Sequence, residues 1–165
     1  MSLLPTTLQL LARARVDLRM GLPVVLEGGG TTTLALAAES LTTERLADLR
    51  ALGPVSLALT ARRAETLKAR AYDGDLARIE VPADATMGWI QALADPADDL
   101  NTPMKGPIIS LRDGPADLHR LSIALVKSAR LLPAALVVPI DSSAPYVGDY
   151  GLTRIAEAAA EPLLS

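Results

Sequence analysis

Acid-base or metal chemistry in this chain would have to pass through His119, the only histidine, because there is no cysteine to act as nucleophile or ligand. Arg112, Arg120 and Lys105 lie close to it in sequence and are the cations that could draw in a phosphate. Gly28-Gly29-Gly30 is the stretch whose backbone amides could cradle an anion. A phosphate loop, however, needs a helix directly after its glycines, so that the first free N–H groups of that helix meet the ligand. Here the β-branched Thr31-Thr32-Thr33 follow, and no Gly-Lys-Ser/Thr sequence is present. The glycines therefore read as the turn of a β-hairpin, with Glu27 as one of its residues. His119 has no second visible ligand and reads as a locally hydrogen-bonded group, and the three cations read as solvated charges.

His119 opens a helix. Leu118, Leu121, Leu125, Ala129 and Leu132 recur at helical spacing and form an apolar stripe, with Arg120, Lys127 and Arg130 off it. Pro133 stops that helix, and Ala134-Ala135-Leu136-Val137-Val138, bounded by Pro139, has the wholly apolar pattern of a strand covered on both faces. Upstream, residues 7–21 read as a helix closed by Gly21, and 22–27 and 31–37 as the two strands of the hairpin. Thr42 caps a helix ending at Gly53, residues 55–59 are a buried strand, and Thr60 caps a helix over 61–70. Residues 76–81 form a short strand, 84–94 an amphipathic helix stopped by Asp95-Pro96, 97–105 a loop and 108–111 a further strand. In the tail, 142–145 is a loop and 153–160 a helix. Alternating strands and helices predict an α/β (α+β) fold: a mixed β-sheet with helices packed on its faces.

A chain of 165 residues, half of them apolar, predicts a single domain over 1–165, with its core at about 7–140 and a C-terminal tail at 141–165. With three Tyr, one Trp and no Phe, the interior has to be built from Ala, Leu, Val and Ile. The absence of cysteine excludes disulfides and thiolate zinc sites and fits a reducing cytoplasm. A net charge of -3 with scattered arginines offers no basic face, so nucleic acid is not expected as a partner. The apolar run 131–140 is interrupted by two prolines and is too short to span a bilayer, so no membrane partner is expected.

His119 followed by a Leu/Ala-rich helix, then Leu132-Pro133-Ala134-Ala135-Leu136-Val137 running into a strand, resembles the 3,4-dihydroxy-2-butanone 4-phosphate synthases, riboflavin-pathway enzymes that act on ribulose 5-phosphate. Three more segments are similar to that family in the same order. They are Asp17-Leu18-Arg19-Met20-Gly21 with Leu36-Ala37-Ala38-Glu39-Ser40-Leu41-Thr42, then Val55-Ser56-Leu57-Ala58-Leu59-Thr60, then Ile90-Gln91-Ala92-Leu93-Ala94-Asp95-Pro96.

The same resemblance implies altered chemistry. The family binds Mg²⁺ through an acidic loop after the first strand, and here that loop reads Glu27-Gly28-Gly29-Gly30-Thr31. His119 matches the family's metal-binding His, which makes it a vestigial metal position, but Arg120 and Leu121 stand where Thr and Glu would follow. Pro139 occupies the place of a catalytic Glu, Ser56 that of a Cys, Thr86 that of an Arg and Pro107 that of a His. One imidazole without carboxylates does not meet the oxygen-rich octahedral demand of Mg²⁺. Hydroxyls and glycines do not replace a general base. The resemblance thus implies a degenerate domain with no cofactor of its own, serving as a homodimer and as the N-terminal part of a longer chain that ends in a GTP cyclohydrolase II. Two alternatives stay open at this level: an active synthase with a rebuilt site, and a module in which the glycines and Arg120 hold a small anion.

Overall fold

The computed structural model describes residues 2–101 and 106–164. Six strands, β1 (Val24–Gly28), β2 (Thr31–Ala37), β3 (Ser56–Thr60), β4 (Leu76–Glu80), β5 (Ala134–Ile140) and β6 (Arg154–Ala156), form one sheet in the order β4-β3-β5-β2-β1-β6. Neighbours run antiparallel except for β1 and β6, which are parallel, so the sheet is mixed as expected. Helices α1 (Thr7–Arg19), α5 (Asp117–Ser128) and α7 (Glu157–Leu164) cover one face, while α2 (Thr43–Leu52), α3 (Ala61–Leu67) and α4 (Met87–Ala94) cover the other. A short turn of helix, α6 (Pro145–Gly148), precedes β6. Among the described residues no helix is long and apolar enough to cross a membrane.

The pleat of the sheet sorts its side chains between these faces. Along β5, Ala135 and Val137 meet α1 and α5, whereas Ala134, Leu136 and Val138 meet the opposite layer. A strand buried on both sides has no polar position to spare, which is why it reads as a continuous apolar run. Leu136 has no exposed surface and sits in the larger of the two cores. With no Phe to fill a gap, Leu136→Ala should lower stability by about 2 to 5 kcal/mol in urea denaturation, from lost transfer energy plus the cavity left behind.

Threonines start several of the helices, accepting a backbone N–H three residues ahead: Thr42 from Arg45, Thr60 from Arg63 and Thr86 from Trp89. At the end of α1 the N–H of Leu22 reaches the Asp17 carbonyl at 2.8 Å, and that of Gly21 the Leu18 carbonyl at 3.2 Å. Gly21 has φ +80°, and a Cβ there would lie 2.9 Å from the Ser40 carbonyl oxygen, so the turn requires glycine. The Gly-rich turn is the hairpin expected: β1 and β2 pair in register from Gly28↔Thr31, and Gly29 and Gly30 both have positive φ. A two-residue turn that matches the twist of its strands needs that conformation at both positions.

The structure departs from the sequence reading at several places. Helix α5 ends at Ser128 rather than reaching Leu132, because Arg130 adopts a left-handed conformation and the N–H of Leu131 returns to the Val126 carbonyl at 3.1 Å. Helix α3 stops at Leu67, with Lys68 left-handed. Residues 108–111 are not a strand; they run along the β4 edge, joined by the single bridge Ile79↔Ser110. Strand β5 continues through Pro139 to Ile140, which is tolerated because β3 pairs only as far as Val137 and leaves Pro139 with a single neighbour, Thr33. The tail is more than a helix: residues 154–156 form β6 on the β1 edge before α7 begins. Ile155 is buried in the core, Thr153 Oγ1 donates to Asp17 at 2.6 Å, and Arg154 pairs with Glu27, tertiary contacts that outweigh the helix propensity of the Ala/Glu-rich run.

Candidate functional site

The sheet face under α5 ends in a cleft of about 370 Å³. Four strands contribute through their pleat: Gly28 from β1, Thr31 and Thr33 from β2, Pro139 from β5 and Arg78 from β4, roofed by Gly114, Pro115 and the first turn of α5 with His119. Gly28 lies where α7 and α5 come closest to the hairpin, and a Cβ on it would meet Glu157 at 2.9 Å and Leu118 at 3.3 Å. Helix α5 starts without a side-chain cap at Ala116, and Asp117 supplies negative charge to its first turn.

His119 projects down toward the sheet. Its Nε2 lies 2.8 Å from Ser56 Oγ on β3, and Ser56 Oγ lies 3.3 Å from the Val137 carbonyl oxygen on β5. When the hydroxyl donates to that carbonyl, its oxygen accepts from His119 Nε2–H, an assignment that keeps the imidazole neutral and its Nε2 in use. Burial pushes the His119 pKa down to about 4, the nearby Arg78 charge adds to the effect, and Asp73 opposes it.

Arg78 is the cation of the cleft. Its side chain is only 4% exposed and is held by Asp73, with Nε to Oδ2 at 2.9 Å and Nη2 to Oδ1 at 3.2 Å, while Nη1 donates to the Asp113 carbonyl at 2.9 Å. Nothing in the sequence marks Arg78, a charged residue in a short strand, and only the register Ala58↔Arg78 reveals that it faces the cleft beside His119. Thr33 Oγ1 also stands buried in this cleft without a hydrogen-bond partner.

Of the cations named from sequence, Arg120 and Arg112 are placed elsewhere. Arg120 forms two hydrogen bonds with Asp75, at 2.6 and 2.9 Å, and one with Asp117 at 3.1 Å; the Asp75 pair raises its pKa and lowers that of Asp75. Arg112 stacks over the Tyr72 ring at 4.6 Å. Lys105 lies outside the described residues. Glu27 alternates to the opposite sheet face, where it pairs with Arg154 at 3.0 Å, and Thr86 caps α4. Among the described residues no three His, Cys, Asp or Glu side chains stand together as a metal-binding group.

No family model matches the chain. It is 33% identical over 131 residues to a GTP cyclohydrolase-2 of Azospirillum brasilense, a match covering 77% of this chain and 34% of that protein. The chain thus spans about a third of the length of this curated relative. Among solved structures it resembles the 3,4-dihydroxy-2-butanone 4-phosphate synthase of Candida albicans with a TM-score of 0.68, at 18% identity, over 93% of this chain and 96% of that one. A 3,4-dihydroxy-2-butanone 4-phosphate synthase in complex with two magnesium ions is similar over 98% of this chain and 97% of that one, with a TM-score of 0.63 and 16% identity. These likenesses establish the fold.

Proposed function

We propose that this chain, built on the 3,4-dihydroxy-2-butanone 4-phosphate synthase fold, is a catalytically degenerate domain of that type in a riboflavin-pathway GTP cyclohydrolase II, acting in the cytoplasm as a dimerising support for the attached enzyme. The observation that carries the reading is the donor set of the cleft. The cleft that holds His119 is lined by two threonines, glycines, a proline and a guanidinium, with Glu27 turned to the other sheet face, Asp117 engaged by Arg120 and Glu157 packed against Gly28 at the edge. Such residues do not fit a magnesium ion, which needs oxygen ligands in near-octahedral array with carboxylate help. Arg78 moreover sets a permanent positive charge where a divalent ion would have to approach.

Proton abstraction next to a carbonyl fails for a related reason. A general base works best when it titrates near the operating pH, and His119, pushed down to about 4, is a weak base at neutrality. The reading is supported further by the partial match to a GTP cyclohydrolase-2, about two thirds of which lies outside the matched region. The supporting role is tested on the full-length protein. Deleting residues 1–165 is expected to lower the stability of the remaining cyclohydrolase and to change its oligomeric state in analytical ultracentrifugation. An unchanged assembly with full stability and activity would contradict it.

A further inference from the structure

We propose that a second copy of this chain docks on the outer side of the helical layer formed by α1, α5 and α7, each copy laying the apolar ridge of its α1 into the acid-rimmed groove between α5 and α7 of the other. The inference rests on the dimerising role proposed above and assigns the surface that serves it. Leu11, Ala14 and Leu18 turn α1 toward the sheet, which leaves Leu8, Ala12, Val16 and Met20 on its solvent side at a spacing of four residues. Positions i and i+4 stand one above the other and form a ridge, the feature that one helix offers to the groove of another. Leu8, Val16 and Met20 are 62%, 46% and 61% exposed, and the exposed Ala12 among them is small enough to let a partner approach closely. Beside the ridge stands Arg13, exposed and, among the described residues, in no ion pair.

The groove has the opposite character. It encloses about 290 Å³, with Leu121 and Ala124 of α5 and Leu164 of α7 as its apolar lining and Asp117, Glu157 and Glu161 as its carboxylates. Arg120, the cation in its lining, is already engaged by Asp75 and Asp117, and Lys127 and Arg130 farther along α5 do not line it. Among the described residues Glu157 and Glu161 form no ion pair. They stand four residues apart on α7, where like charges repel, and Glu161 falls in the last turn, at the negative end of the helix dipole with no basic residue beside it. A cation from outside relieves both. Arg13 of a second copy is such a cation, carried beside an apolar ridge that matches the apolar lining. Ridge and groove belong to helices that cover the same face of the sheet, so a two-fold axis between them makes both contacts at once and closes the assembly at two copies. Pairing two α1 ridges about Ala12 would instead bring Arg13 near its own symmetry mate, like charge against like.

The test is sedimentation velocity of the whole chain over a concentration series at neutral pH. The wild type is expected to dimerise reversibly. Arg13→Glu and Glu161→Arg should each weaken the dimer about tenfold or more, because each sets like charges against one another across the contact. The double variant, with the two charges exchanged, should bind about fivefold more tightly than either single variant, short of the wild type because Glu157 still faces the new carboxylate. Val16→Ser, which leaves every charge in place, should weaken the dimer about threefold or more through lost apolar burial. Arg13, Val16 and Glu161 are all exposed, so circular dichroism of the variants is expected to match the wild type. A dimer indifferent to both single reversals, or a double variant no tighter than the singles, would overturn the assigned surface and leave the dimerising role standing. A wild type that stays monomeric at every concentration would overturn both. Retention of the monomer on phosphatidylglycerol vesicles, lost in Arg13→Glu, would give the α1 ridge to a membrane surface and overturn the proposal.

Discussion

Arg63→Ala is expected to destabilise the protein by about 3 to 5 kcal/mol, the loss typical of a buried charge network from which one partner is removed. Arg63 lies in the first turn of α3 and is 9% exposed. Its Nε donates to the Leu93 carbonyl at 2.7 Å and its Nη2 to the Ala92 carbonyl at 3.0 Å. Both carbonyls belong to the last turn of α4, whose acceptors have no partner within the helix. The same fork grips Asp99 at 2.7 and 2.8 Å, tying down the segment after α4. Truncation leaves two helix carbonyls unmatched and removes the ion pair to Asp99 at once. Arg63→Lys should recover only part of the loss, because one ammonium cannot reproduce the planar fork. Urea denaturation of both variants checks this; a loss below about 1 kcal/mol for Arg63→Ala would mean that water replaces the network without cost.

A second large effect concerns pH. In the unfolded chain His119 titrates near its ordinary value of 6.5, and in the folded protein near 4. Between these values the unfolded chain binds a proton that the native state refuses, so stability falls as the pH is lowered through this window. The stabilisation is fully present above about pH 6.5 and is spent by about pH 4, a loss of about 3 kcal/mol from this residue. The charges facing the imidazole oppose each other, Arg78 favouring the neutral form and Asp73 the charged one, so burial decides the direction. His119→Gln keeps a donor for Ser56 but does not titrate. Its unfolding free energy should therefore be flatter between pH 6.5 and 4 than that of the wild type, and equal slopes would show that the native imidazole charges freely.

Much of the fold was legible in the sequence because its elements follow period and punctuation. The α5 stripe, the apolar run of β5, the threonine caps and the two-glycine turn each announce local structure by mechanisms that act within a few residues. The misread regions are those decided at a distance. Residues 154–156 look helical until the β1 edge offers Val25, Leu26 and Glu27 as strand partners. Residues 108–111 look like a strand but find only one bridge on β4.

The site divides along the same line. His119 stood out as a solitary imidazole, whereas its partner Ser56 lies 63 residues away and meets it only when α5 is laid across β3. Arg78 could not be distinguished from other arginines, since what gives it significance is the strand register that turns it into the cleft. Arg120, on which the anion-holding alternative relied, is engaged by Asp75, 45 residues earlier, a contact that no local pattern announces.

The most direct test of the central claim is an assay of the purified chain for formate release from ribulose 5-phosphate with saturating Mg²⁺. A cleft whose imidazole neighbours threonine, glycine, proline and a buried guanidinium is expected to release no formate above the protein-free control. Turnover that depends on Mg²⁺ and disappears in His119→Ala would contradict the account.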